Sequence, residues 1–197
     1  MKTVRARGKK SKAKIRKKRG TGGKKQRTGN RKQIGNRPLV LSSAERTDRI
    51  NKIRILPELV EAAIAGLNDQ QLDTPYRDGG WTVRQVVHHL ADSHMNAVVR
   101  TRLILAENNP PLKGYDQEVW AELPDVRMPV NASLAIIRGL HARWATLFES
   151  IPETAWTRTG LHTENGEMTV EDILMTYSHH GENHVGQITG LRAAKNW

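Results

Sequence analysis

The chain has 197 residues, 37% hydrophobic, with a formal charge of +12 and no cysteine. The missing cysteines exclude disulfides, thiolate metal sites and a cysteine nucleophile. No apolar run approaches the roughly 18 residues of a membrane-spanning helix, and the basic N-terminus lacks the apolar stretch of a secretory signal. A soluble, cytoplasmic protein of about one domain is expected, with no membrane partner.

The positive charge is local. Residues 1–37 hold 17 of the 32 lysines and arginines and no acidic residue. The other 160 residues carry 15 basic and 20 acidic side chains, so the folded part is mildly acidic. Residues 1–36 have too little apolar surface to fold alone, and a disordered basic tail is expected there. Such an arm can bind nucleic acid weakly through phosphates. No aromatic is interleaved to stack on bases. A solvated extension, or a start-site artefact, accounts for the tail without such a role and is the favoured reading.

Residues 37–197 read as four helices. The first opens at Ser42 or Ser43, either of which can cap it, and runs to Gly66. Pro57 should kink or split it. A connector rich in turn formers, "NDQQLDTPYRDGG", leads to "WTVRQVV". There Thr82 and Gln85 form a capping box, with Trp81 and Val86 placed as a hydrophobic staple. This second helix should run from Val83 to about Glu107, with Val83, Val86, Val87, Leu90, Ala97, Val98 and Leu105 inward.

Residues 108–130 hold four prolines and little helical period. A connection this long is often functional, and it allows the second and third helices to run parallel. The third helix, "ASLAIIRGLHARWATLFES", turns Leu134, Ile137, Trp144, Leu147 and Phe148 inward. Beyond a short turn near Asn165-Gly166 no strand pattern is legible. Thr169, with Asp172 three residues on, caps the fourth helix, Val170 to about Ala194. The fold class is all-α, a four-helix bundle.

The fourth helix carries "YSHHGENHVGQ". Measured from Ile173, His180, His184 and Ile188 fall on one helical face, so both histidines should point into the bundle. His179 and Glu182 are rotated about 100° from neighbouring positions and should lie outside. Two imidazoles four residues apart can converge on a metal ion, and they can equally be buried histidines satisfied by hydrogen bonds. On the second helix "VVHHLADSH" adds His88, His89, Asp92 and His94, and His89 can face inward. Three histidines leave a fourth position for water or substrate, as in catalytic zinc sites. Asp92, one turn beyond His89, is a candidate catalytic base or a residue that orients a histidine. His88, His94 and His141 can line the pocket or serve structure. Trp81, Tyr115 and Trp120 can shape its mouth or form satellite core. Gly181 and Gly186 each cost about 1 kcal/mol in a helix. They fit a close approach by a neighbouring helix or substrate, or are merely tolerated.

Four stretches, "QLDTPYRDGGWTVRQVVHHLADSHMNA", "PPLKGYDQEVWAELPD", "LHARW" and "YSHHGENHVGQITGL", closely resemble the YfiT-like metal-dependent hydrolases of the DinB superfamily. The resemblance covers about residues 34–192. It implies an up-down-down-up bundle, a homodimer, and one divalent metal ion per chain, zinc first and nickel second. Carried over by motif, the ligands fall on His89, His180 and His184. Relatives often have histidines where this chain has Glu182, Asn183 and Gln187. The resemblance implies a hydrolase-like enzyme acting on a small-molecule substrate. It permits a second activity, since some relatives are bacillithiol S-transferases. A third reading, a nucleic-acid-associated protein with a structural metal, is disfavoured because closed zinc sites normally have four protein ligands.

Overall fold

The computed structural model describes residues 40–197. The disorder expected over residues 1–36 lies outside them. Six α-helices and three strands follow in order: α1 (Ser43–Ile64), α2 (Asp69–Leu72), α3 (Val83–Ala106), β1 (Pro111–Leu112), α4 (Gln117–Trp120), α5 (Asn131–Glu149), β2 (Thr159–His162), β3 (Gly166–Thr169) and α6 (Val170–Lys195). The four long helices, α1, α3, α5 and α6, make a four-helix bundle. No helix among the described residues is long and apolar enough to cross a membrane.

Local sequence sets the helix starts. Ser42, Thr82 and Thr169 each cap a long helix through a reciprocal capping box, with Glu45, Gln85 and Asp172 as partners. Each box satisfies two backbone or side-chain donors that would otherwise face water or core. Pro57 does not split α1, which runs unbroken through it. The connector expected as turns contains α2, itself capped by Asn68 and Gln71.

Within the bundle α1 packs on α5 and α6, and α3 packs on the same two helices. The order around the bundle is therefore α1, α5, α3, α6. The pairs α1/α3 and α5/α6, consecutive in the chain, sit across diagonals. Diagonal neighbours cannot be joined by a tight turn, which explains the long connectors.

The strands are the main departure from the sequence reading, which saw only a turn. β2 and β3 form an antiparallel hairpin, with Thr159 opposite Thr169 and His162 opposite Gly166. β1 joins it in parallel, Pro111 opposite Leu161. The strands have two to four residues, too short for period-two alternation to register. The one available signal was Asn165-Gly166, where Gly166 has a φ of +75°. Thr169 ends β3 and caps α6, so the hairpin fixes where the histidine-bearing helix begins.

Two apolar clusters fill the bundle. One gathers Trp144, Phe148, Ile173, Leu174 and Tyr177, the other Val83, Val86, Leu90, Ile137 and Ile188. The inward stripes match the sequence reading, except that Leu105, Leu134 and Leu147 are half-buried and Ile104 is fully buried.

Candidate functional site

Five histidines form a polar layer across the bundle. His89 and His94 come from α3, His141 from α5, and His180 and His184 from α6. The ligand atoms of His89, His180 and His184 lie within 4.8 Å of one another. The Nε2 of His180 is 3.2 Å from that of His89 and 3.1 Å from that of His184.

Hydrogen bonds fix the protons on this layer, starting from Pro57. Proline has no N–H, so the Ile53 carbonyl one turn earlier loses its helical donor. The buried Nδ1–H of His141 donates to that carbonyl at 2.5 Å. A carbonyl only accepts, so the proton of His141 must sit on Nδ1, which leaves Nε2 bare. His94 then donates from Nδ1 to His141 Nε2 at 2.9 Å. His180 in turn donates from Nδ1 to His94 Nε2 at 3.0 Å. Each neutral ring carries one proton, so the chain ends with a bare Nε2 on His180. His184 reaches the same state separately, because its Nδ1 is 2.8 Å from the Gln187 carboxamide oxygen. Gln187 thus holds the His184 proton on Nδ1.

Burial keeps these rings neutral. It lowers the His89 and His180 pKa values to about 3, with repulsion from His184 adding to both. It lowers His141 to about 4 and His94 well below the ordinary value. Two bare nitrogens 3.1 Å apart, in surroundings that reject protons, repel one another unless a cation sits between them. A tetrahedral zinc ion with Zn–N bonds of about 2.0–2.1 Å separates its ligands by about 3.3 Å. The two spacings about His180 fit, and so does the neutral-imidazole donor set.

The other expected residues fall into place around this trio. His88 is buried but turns elsewhere, bonded to Ser133 Oγ at 2.7 Å and the Met128 carbonyl at 3.0 Å. His179 and Glu182 are exposed, and Glu182 pairs with Lys52. Trp81 is a wall of the site, with its ring 4.6 Å from His89 and stacked 6.5 Å from His184. Its indole N–H donates to Glu118. Tyr115 packs on Trp120 at 4.5 Å. Asp92 is half-buried, and burial, then Asp125, raises its carboxyl pKa. None of its hydrogen bonds among the described residues reaches the trio. Gly181 meets a close approach, since a Cβ there would lie 2.5 Å from Leu56 Cδ2 of α1. Gly186 faces open space and is merely tolerated.

A cleft of about 480 Å³ reaches His180 from the loop side. Ser93, Arg100, Tyr115, His162 and Tyr177 line it with His180. Sequence reasoning missed Arg100 and His162, because nothing local marks a single arginine or strand histidine. It named His94 and His141 but missed their joint role. Pro57 was the available signal, since a proline inside a helix always frees one carbonyl.

Comparison with known proteins identifies the family. A relative from Oceanobacillus iheyensis, named "Putative metal-dependent hydrolase", is 47% identical over 148 residues, 75% of this chain and 86% of its own. A relative of the same description from Bacillus mycoides matches to the same extent. Among solved structures, YfiT from Bacillus subtilis, described as a probable metal-dependent hydrolase with an unusual four-helix bundle topology, aligns with a TM-score of 0.79. It is 38% identical, over 83% of this chain and 94% of its own. The DinB superfamily model matches residues 53–188, and with that span and those relatives this chain belongs to the DinB superfamily.

Proposed function

We propose that this protein is a metal-dependent hydrolase whose single divalent ion, zinc first, is held by His89, His180 and His184. The observation that carries the reading is the convergence of three histidine Nε2 atoms, with the protons of His180 and His184 held on their far nitrogens. A divalent cation held by three neutral imidazoles supplies Lewis acidity and lowers the pKa of a water ligand toward 7. The chain's own residues do the rest. His94 and Gln187 hold the two α6 ligands in register. Trp81 shields His89 and His184 from bulk water on one side. The cleft beside His180 leaves an approach for substrate.

Asp92 is the candidate base in this reading. Its raised pKa moves it toward the range of a working proton acceptor.

The test is metal analysis of purified protein together with an ester and amide panel, assayed with and without added low-molecular-weight thiol. One divalent ion per chain, lost in His89→Ala, His180→Ala and His184→Ala but kept in His88→Ala, is the expected result. Turnover should need no thiol. Thioether formation that depends on both metal and thiol, with no thiol-free hydrolysis, would replace hydrolase by transferase.

A further inference from the structure

Among the described residues three arginines are more than nine-tenths buried: Arg46, Arg84 and Arg100. Two of them are neutralised twice over. Arg46 pairs with Glu153 and Glu171, and Arg84 with Asp69 and Asp73. Arg100 has no carboxylate partner among the described residues. Its guanidinium donates to the Lys113 carbonyl at 2.6 Å and to the Tyr177 hydroxyl at 3.3 Å. Both acceptors are neutral. Residues 1–39 contain no aspartate or glutamate, so that segment supplies no acid either. A buried cation without a counter-charge is costly, and a fold normally pairs it. Arg100 is also the one of the three that lines the cleft reaching His180.

We infer that Arg100 binds a carboxylate of the substrate, so that the protein acts on small molecules carrying an anionic end away from the reacting group. This rests on the metal-site reading above and adds the substrate class to it. The guanidinium fork has five N–H donors, and the two bonds to Lys113 and Tyr177 leave donors for a planar carboxylate. His162 stands in the same wall. Its Nδ1 accepts from the Glu164 and Asn165 amides, so its proton is on Nε2 and gives a second donor. One arginine balances one negative charge. The exposed acids Asp116 and Glu164 also line this cleft, and they disfavour a more highly charged phosphate. His89 and Arg100 are eleven residues apart on one face of α3, about 16 Å along its axis. The long arginine side chain closes part of that gap, so the ligand must be extended rather than compact.

The experiment uses full-length protein after its metal content is measured. On zinc-loaded protein, 3-mercaptopropionate, 6-mercaptohexanoate and 8-mercaptooctanoate are compared with their methyl esters, the thiolate serving only as a metal anchor. At least one of the longer acids should bind about tenfold more tightly than its ester. That preference should vanish in Arg100→Gln, with ester binding and zinc content kept. Equal binding of acid and ester at every length, or a preference that survives Arg100→Gln, overturns the inference. Should Arg100→Gln fail to fold, the wild-type acid and ester series still decides. A second measurement needs no metal: hexanoate, but not hexanamide, should shift the Arg100 side-chain N–H resonance of metal-free protein. A protein that holds no zinc but shows this shift would refute the metal reading and keep the anion site. A protein that holds zinc and shows neither effect would do the reverse.

Discussion

Replacing His141 with leucine should weaken metal binding although His141 touches no metal ligand. Its Nδ1–H donates to the Ile53 carbonyl freed by Pro57, and its Nε2 accepts from the Nδ1–H of His94. Leucine fills similar space but leaves that carbonyl and the His94 N–H buried and unpaired. Each orphan costs about 1–3 kcal/mol, so a stability loss of about 2–6 kcal/mol is expected. The effect on metal is separate. Without His141, His94 can turn its proton to Nε2 and donate to His180 Nδ1. His180 must then carry its own proton on Nε2, the atom that should bind metal. Loss of an outer hydrogen-bond partner of a ligand typically weakens metal affinity about 10–100-fold. Zinc affinity is measured by competition with a chromophoric chelator, and histidine tautomers by nitrogen chemical shifts in metal-free protein. In the wild type, His94, His141 and His180 should all be protonated on Nδ1. A wild-type His180 protonated on Nε2, or a variant binding zinc within about twofold of wild type, would refute the relay. The tautomer measurement uses wild-type protein and stands even if the variant is too unstable to load.

Further outcomes follow from the same geometry. Asp92→Asn should leave zinc content unchanged and lower the hydrolytic rate by about 10²-fold or more, whereas an unchanged rate would remove Asp92 as the base. Gly181→Ala should destabilise by about 1 kcal/mol, because overpacking against Leu56 exceeds the gain in helix propensity. Gly186→Ala should stabilise by about 0.5–1 kcal/mol, since nothing opposes its Cβ; equal thermal shifts for the two would contradict the packing at Gly181. Metal-free protein should become acid-labile early. His89 and His180 protonate near pH 3 when folded, against 6.5 for the ordinary group. Between these values the unfolded chain binds more protons, so stability is full above about pH 6.5 and falls as pH drops toward 3. Denaturant midpoints that stay flat over that window would contradict the burial of these rings.

The sequence made some features legible because they are local or periodic. Capping boxes at Thr82 and Thr169 need only four residues each, and both stand where the pattern placed them. The shared face of His180 and His184 follows from helical spacing, and the resemblance to DinB proteins pointed to His89, which the fold brings to them. The features that escaped depend on contacts between distant segments. The proton order of the layer links Ile53, His94, His141 and His180 from four different helices. No spacing rule joins residues so far apart. The hairpin escaped because its strands are held by register with each other and with β1, not by their own propensity. Pro57 lies between these cases. As a local signal it predicts a broken helix, yet α1 continues and the defect becomes a buried acceptor of fixed polarity. A helix-breaking residue thus sets the direction of a hydrogen-bond chain that ends at the candidate metal position. That role is invisible until the tertiary structure shows which donor answers the freed carbonyl.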